Sequence, residues 1–328
     1  MANEHIGRRR AIGLGKESTP GTGVSPTFWV PFIQGDMVPV ISKASDTGAY
    51  QRIEELSDSE TTKVLTETTL TAIMRDDWIG LMLLGIFGTV NSATVGGSVK
   101  DHTFTVAQTN THTSFTVVKK DPVAEERSVY SLFDSLEIEA VVGDFVKVTA
   151  KLKGKKIATT TGNTVSFGSS SNEFLAKHCA LKVAPDSTGI AGATAVAVTR
   201  FKITIEKNVV DYQAFGDVDV NSLFNQQFTV KGDFELLYNL TYYRDAVISN
   251  DTGSKKAMQL VMANTDVTIG GSYNPTLTIN FYRAALTTWA ETNDNNQIVR
   301  QTVGYECEYS VADGKALDAV LRNTQASY

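Results

Sequence analysis

Between residues 61 and 88 the pattern of polar and apolar positions changes period. Thr61–Ala72 is built almost entirely of β-branched and β-tolerant residues, which predicts a pleated strand. Alternation places Val64, Thr66, Thr68 and Leu70 on one face and Lys63, Leu65, Glu67 and Thr69 on the other. Neither face is strongly apolar, so the strand is expected to meet water or another subunit. Asp76 and Asp77 then stand where first-turn acids favour a helix start. Trp78–Phe87 is an apolar run of ten residues, and Gly88 is a C-terminal stop. A helix apolar on every side asks for burial on every side. Trp78, Leu81 and Met82 are therefore expected to be buried, on the sheet or partly under a neighbouring subunit. The run falls short of the roughly 20 residues that span a bilayer.

The rest of the chain reads mainly as strands. Met1–Pro26 is Gly-rich and polar and predicts an extended arm. Its Gly13-Leu14-Gly15-Lys16 lacks the spacing of a phosphate loop. Phe28–Ile41 is a strand interrupted by Pro31 and Gly35, which suits an edge. Thr89–Lys100 reads as a loop, and His102–Val106 with Ser114–Lys119 as a hairpin. Ser135–Val142 and Phe145–Lys153 form a second hairpin around Gly143-Asp144. There Leu136 and Ile138 oppose Glu137 and Glu139, one core side and one wet side. Ala158–Ser171 is polar and low in complexity, the centre of a link. Beyond it Ala195–Glu206, Gln226–Leu237, Ala257–Ala263, Thr276–Phe281, Val299–Val311 and Lys315–Leu321 read as strands. Thr241–Ser249 reads as a short helix.

Two stretches of the second half echo the first. With Thr61 set against Gln226, an offset of 165, strand lies over strand and helix over helix. At an offset of 169, Ser135–Val142 lies over Gly304–Val311, and Glu137-Ile138-Glu139 over Glu306-Cys307-Glu308. The expected fold is mainly β and tandem-duplicated, each unit β-rich with a short flanking helix. The expected division is an arm at 1–26, a first unit at 27–157, a linker at 158–177 and a second unit at 178–328.

Composition narrows the chemistry. The chain has 328 residues, 42% hydrophobic and 20% charged, an ordinary globular balance. A net charge of −6 argues against a surface that coats nucleic acid. Cys179 and Cys307 form no Cys-x-x-Cys pair, which points to no disulfide framework and to assembly in a reducing cytoplasm. No signal peptide or membrane span is expected. Four scattered histidines offer no metal spacing. No Gly-x-Ser-x-Gly elbow is present, and Glu137/Glu139 or Glu306/Glu308 at i, i+2 read as solvated strand faces, not as a glycosidase pair. Neither an enzyme nor a cofactor is expected.

The opening Gly15-Lys16-Glu17…Pro20-Gly21-Thr22-Gly23…Pro26…Trp29-Val30-Pro31 is similar to the start of bacteriophage tail tube proteins of the siphophage type. The polar strand leading to an acid-capped helix that ends in Phe87-Gly88 resembles them too. So does the ending, Val303-Gly304-Tyr305…Asp313-Gly314…Leu321-Arg322-Asn323…Tyr328. The resemblance implies two packed antiparallel sheets per unit, in a sandwich or barrel, with a flanking helix. It implies a structural virion protein, assembled in the host bacterial cytoplasm, whose stacked rings form a channel for DNA ejection. The implied partners are further copies, the tape-measure protein and viral DNA in the lumen, the tail terminator, and baseplate or tip proteins. A duplicated chain implies trimeric, pseudo-sixfold rings, with hexameric rings as the alternative. Glu67, Glu137, Glu139, Asp233, Glu235, Glu306 and Glu308 are then expected to face the lumen and repel the DNA backbone. Two other readings stay open: another virion β-protein, such as a terminator or capsid decoration subunit, and a carbohydrate-binding β-sandwich module.

Overall fold

The computed structural model describes residues 5–110, 112–168, 171–249, 255–292 and 295–328. The first part of the chain runs through Ala11–Lys16 (β1), Phe28–Val30 (β2), Phe32–Asp46 (β3), Asp58–Ile73 (β4) and the helix Ile79–Phe87 (α1). It continues with Gly88–Gly96 (β5), Val99–Val106 (β6), Phe115–Lys120 (β7), Glu125–Val141 (β8), Lys147–Gly154 (β9) and Ala158–Thr159 (β10). The second part holds Cys179–Ala184 (β11), Ala195–Val196 (β12), Val198–Glu206 (β13), Val210–Tyr212 (β14), Ser222–Phe224 (β15) and Thr229–Leu237 (β16). The helix Tyr242–Ile248 (α2), Lys255–Ala263 (β17), Thr276–Glu291 (β18), Arg300–Cys307 (β19) and Leu317–Asn323 (β20) follow. The fold is mainly β, and among the described residues its strand pairings are antiparallel apart from one isolated bridge, Val64 to Asp219.

The spine is one run of eight strands in the order β3-β4-β9-β8-β13-β16-β19-β18. It does not close. β3 pairs only with β4, and the last residues of β18 pair only with β19 among the described residues. Two long strands serve two sets of partners. The first part of β8 pairs with β7 and β10, its second part with β9 and β13, and the register shifts between Phe133 and Ser135. The first part of β18 pairs with β17 and β20, its second part with β19, with a shift between Leu286 and Thr288. Such irregularities let a strand change neighbours without ending. β7 carries β1 and β2 beside it, and β17 carries β11 and β12.

The first part therefore pairs β1 with β2 and β7, β8 with β7, β9 and β10, and β4 with β3 and β9. The second part pairs β11 with β12 and β17, β18 with β17, β19 and β20, and β16 with β13 and β19. Strand for strand these are the same connections. β5 and β6 occur only in the first part, where β6 joins β20, and β14 and β15 occur only in the second.

Several expectations change. Thr89–Lys100 is no loop: β5 turns at Gly97, at φ 57°, into β6. β6 and β7 are not a hairpin, since β6 pairs with β5 and β20 and β7 with β1 and β8. The first four residues of the expected arm lie outside the described residues, but from Ala11 the chain is a core strand, with Ile12 and Leu14 buried. Its glycines hid it. A Cβ at Gly13 would stand 2.6 Å from Pro26, and one at Gly15 would stand 2.7 Å from the Ser25 carbonyl, so they mark where residues 24–26 cross close over the strand. Residues 169–170 of the expected linker also lie outside the described residues, while Phe174 within it is fully buried.

Candidate functional site

The wet face of the eight-stranded sheet carries the acids singled out in the sequence. Along β8, Leu136 and Ile138 are buried while Glu137 and Glu139 are half-exposed on the other side. β16 alternates likewise, with Phe234 and Leu236 inside and Asp233 and Glu235 outside. Glu306 stands on the same face of β19. Glu67 is exposed on β4 and points away from Thr66, Thr68 and Leu70, which are buried. Glu308 lies past the end of β19. Tyr305, next to Glu306 on β19, is buried, whereas Tyr309, past the end of the strand, is 58% exposed.

Six of these acids are matched by cations. Register places Glu139 opposite Lys202, and Lys202 opposite Asp233. Lys202 Nζ lies 2.9 Å from Glu137, and Arg200 Nε donates to Glu139 at 2.8 Å. Arg200 also reaches Asp233 with its Nη1. Arg300 Nη1 donates to Glu235 at 2.9 Å, and the Thr199 hydroxyl donates to it at 2.7 Å. Thr199, and then Arg300, hold the Glu235 carboxyl below the usual range. Lys231 lies 3.6 Å from Glu306, and Lys255 and Arg283 each 3.0 Å from Glu308. The face is a checkerboard of opposite charges, not an acid wall. Cross-strand register was the missing signal: the basic residues of β13 and β16 alternate in phase with the acids of their neighbours.

A second constellation anchors α1. Trp78, Leu81 and Met82 are 1%, 2% and 0% exposed, and the whole of Ile79–Phe87 is buried within one chain. Gly88, at φ 91°, closes the helix by donating its N–H to Leu84. The acids before the helix do not cap it. The Asp76 carboxylate accepts from the Asn172 N–H at 2.7 Å and Nδ2 at 2.8 Å, and Asp77 accepts from the Ser171 hydroxyl at 2.8 Å. Burial, the largest influence, pushes the Asp76 carboxyl up to about 6. Their backbone carbonyls hold the far end of the sequence. Asn323 Nδ2 donates to Asp76 O, and the Tyr328 hydroxyl donates to Asp77 O, both at 2.6 Å. The Tyr328 ring fills the space that a side chain at Gly80 would need, 2.2 Å from the would-be Cβ. Lys16 Nζ reaches Tyr328 O at 3.0 Å, so the opening and closing stretches singled out in the sequence meet at this helix.

At the other end of α1, Lys207 Nζ donates to Gly85 O at 2.8 Å, and burial pulls its ammonium down to about 7. Among the described residues no three His, Cys, Asp or Glu side chains gather as a metal site. Burial pushes the Cys179 thiol up to about 12, which keeps it protonated and a poor nucleophile. Among the described residues no helix is long and apolar enough to cross a membrane.

A search of curated proteins returned no match. The family model described as phage tail tube protein matches residues 7–311, which takes in both parts of the chain and the whole eight-stranded sheet. The chain therefore belongs to the phage tail tube protein family and is a structural component of the virion tail.

Proposed function

We propose that three copies close each ring of the tube by repeating between chains the joint that β8 and β13 make within one. The observation that carries this reading is the eight-stranded sheet whose two ends, β3 and the last residues of β18, have no second partner among the described residues. Exposed edges invite pairing with another chain. The two parts share one pattern of connections, in which β3 corresponds to β13 and β18 to β8. Leu70 on β4 faces Ala150 on β9, as Phe234 on β16 faces Val303 on β19. An antiparallel β18–β3 joint between chains then copies the β8–β13 joint.

The shared pattern supports a tandem duplication of two units, β1–β10 and β11–β20, each with one short helix. It moves the start of the first unit from residue 27 back to β1. It keeps the strand-over-strand and helix-over-helix order of the first offset but shifts the strand by one residue, to 164, so that buried Leu70 lies over buried Phe234. It replaces the second, because β9 takes the place of β19 and β8 that of β18. Burial of Phe201, Phe281 and Tyr305 against one another, at 5.6–6.2 Å between centroids, supports sheets packed as a sandwich.

Three such sheets, at about 4.8 Å per strand and a tilt of about 40°, give a barrel about 45–50 Å across between backbones. That width passes a DNA duplex. The checkerboard face lines the lumen, with Glu67, Glu137, Glu139, Asp233, Glu235 and Glu306 each on it. Paired charges lay down no basic track on which a phosphate backbone would stick, so balance does the work first ascribed to repulsion. The exposed end of the β3–β4 hairpin, residues 41–62, bears Ile41, Tyr50, Ile53 and Leu56 in the open and takes the ring-to-ring contacts. The protein has no catalytic role. It meets tape-measure protein and DNA in the lumen, and terminator and tip proteins at the tube ends. Electron microscopy of assembled tubes tests this. Three chains per ring with β18 beside β3 are expected; six chains per ring, or a checkerboard face on the outer wall, would overturn it.

A further inference from the structure

We infer that Arg127 is the centre of an oxyanion site on the β7–β8–β10 sheet. Arg127 lies opposite Val118 on one side and Ala158 on the other, and neither side chain accepts a hydrogen bond. The acids before it on the strand are already engaged. Lys120 lies 3.2 Å from Glu125, which also accepts from the Asn163 N–H, and Lys119 lies 2.7 Å from Glu126. The Arg127 side chain has no hydrogen bond or ion pair among the described residues, and its Nε is buried. A guanidinium nitrogen taken from water without an acceptor is costly, and a bound oxyanion removes that cost.

The surroundings fit such a ligand. Arg127 lines a cavity of about 130 Å³ together with Ser25, Thr160 and Thr161, whose hydroxyls can donate. The planar fork of arginine matches the two oxygens of a carboxylate or phosphate. The wall that holds Ser25 is built before any ligand arrives. Glu17 is buried and accepts from the Ser114 and Thr116 hydroxyls at 2.7 and 2.8 Å, and from the Gly21 and Tyr130 N–H groups at 2.8 and 2.9 Å. Thr116 in turn accepts from the Val24 N–H at 3.1 Å. Gly23 lies close against the guanidinium, with Arg127 Nη1 2.8 Å from the place of a Cβ. The loop thus positions the arginine, and the cavity has room for a compact oxyanion but not for a nucleotide. The ligand is a small tetrahedral or planar oxyanion, supplied either as a free ion or by an acidic side chain of a neighbouring copy.

Calorimetric titration of the full, unassembled chain with sodium phosphate at constant ionic strength tests the site. Saturable binding of one phosphate per chain is expected, at least tenfold weaker in Arg127→Gln and severalfold weaker in Thr161→Val, whose exposed side chain carries no risk to folding. Assembly separates the two sources. A free-ion site keeps its phosphate affinity in tubes, and Arg127→Gln assembles normally. A site filled by a neighbour's carboxylate loses phosphate binding in tubes, and Arg127→Gln assembles severalfold more slowly. Equal phosphate binding by wild type and Arg127→Gln overturns the assignment, as does the absence of phosphate binding combined with normal assembly of Arg127→Gln.

Discussion

Replacing Gly85 by alanine separates local preference from packing, because the two predict opposite signs. In a solvated helix the change gains about 0.5–1 kcal/mol. In α1 the new methyl would stand 2.1 Å from Phe133 Cδ2 and 2.5 Å from Cε2, where carbon atoms rest about 3.5–4.0 Å apart. Neither side yields easily. Phe133 is fully buried and sits edge-on to Phe115 with centroids 5.2 Å apart. The Gly85 carbonyl is fixed by Lys207. Overpacking of this kind costs about 1–3 kcal/mol or more, so Gly85→Ala should lose about 1–2 kcal/mol net. Urea unfolding of the unassembled chain, followed by tryptophan fluorescence and circular dichroism, measures it. Gly192→Ala, with nothing within 4 Å of the new Cβ, is the control and should move stability by under about 0.5 kcal/mol. Trimming the ring by Phe133→Leu should recover part of the loss, giving a coupling of about 1 kcal/mol in the double-mutant cycle. A Gly85→Ala chain as stable as wild type, or strict additivity with Phe133→Leu, refutes the close approach of helix to sheet.

Trp78→Ala should cost about 3–5 kcal/mol because Trp78 is almost wholly buried in the core; a loss under about 1 kcal/mol would contradict that placement. Lys207 has its pKa pulled from 10.5 to about 7, so the unfolded chain binds its proton more readily between those values. Stability should rise with pH across that window, by up to roughly 5 kcal/mol from this group, and Lys207→Met should flatten the rise in denaturation series from pH 7 to 10. Glu137→Gln, Glu139→Gln and Glu306→Gln remove half-exposed ion pairs, and each should cost under about 1 kcal/mol and leave tubes intact. Charge reversal to lysine sets like charges side by side and should weaken the sheet most at low salt, which thermal melts at two ionic strengths will read.

The parts of the fold legible in sequence were those where one period dominates. β4 and α1 were plain because alternation gives way to an unbroken apolar run, and β8 and β16 because their wet and dry faces differ. β5, with its Ser, Thr, Asn and Gly, carries no such contrast, since it is exposed along much of its length beside β6. β1 was hidden by glycines that serve close contact, not flexibility. The double partnerships of β8 and β18 depend on which distant strand lies alongside, a fact set by long-range register. The acids of the polar face were visible one strand at a time. Their partners were not, because an ion pair across β8, β13 and β16 joins residues remote in sequence.

The meeting of Tyr328 with the start of α1 bears on how the chain is made. The hydroxyl of Tyr328 bonds to a carbonyl 251 residues earlier. At bacterial translation rates the helix waits about 10–50 s between its own synthesis and the arrival of that partner. Until then the groove over Gly80 stands open beside a wholly apolar helix. The packing at the start of α1 cannot be completed before residues 323–328 have been made. The core around this helix therefore closes late, once both parts of the chain are present.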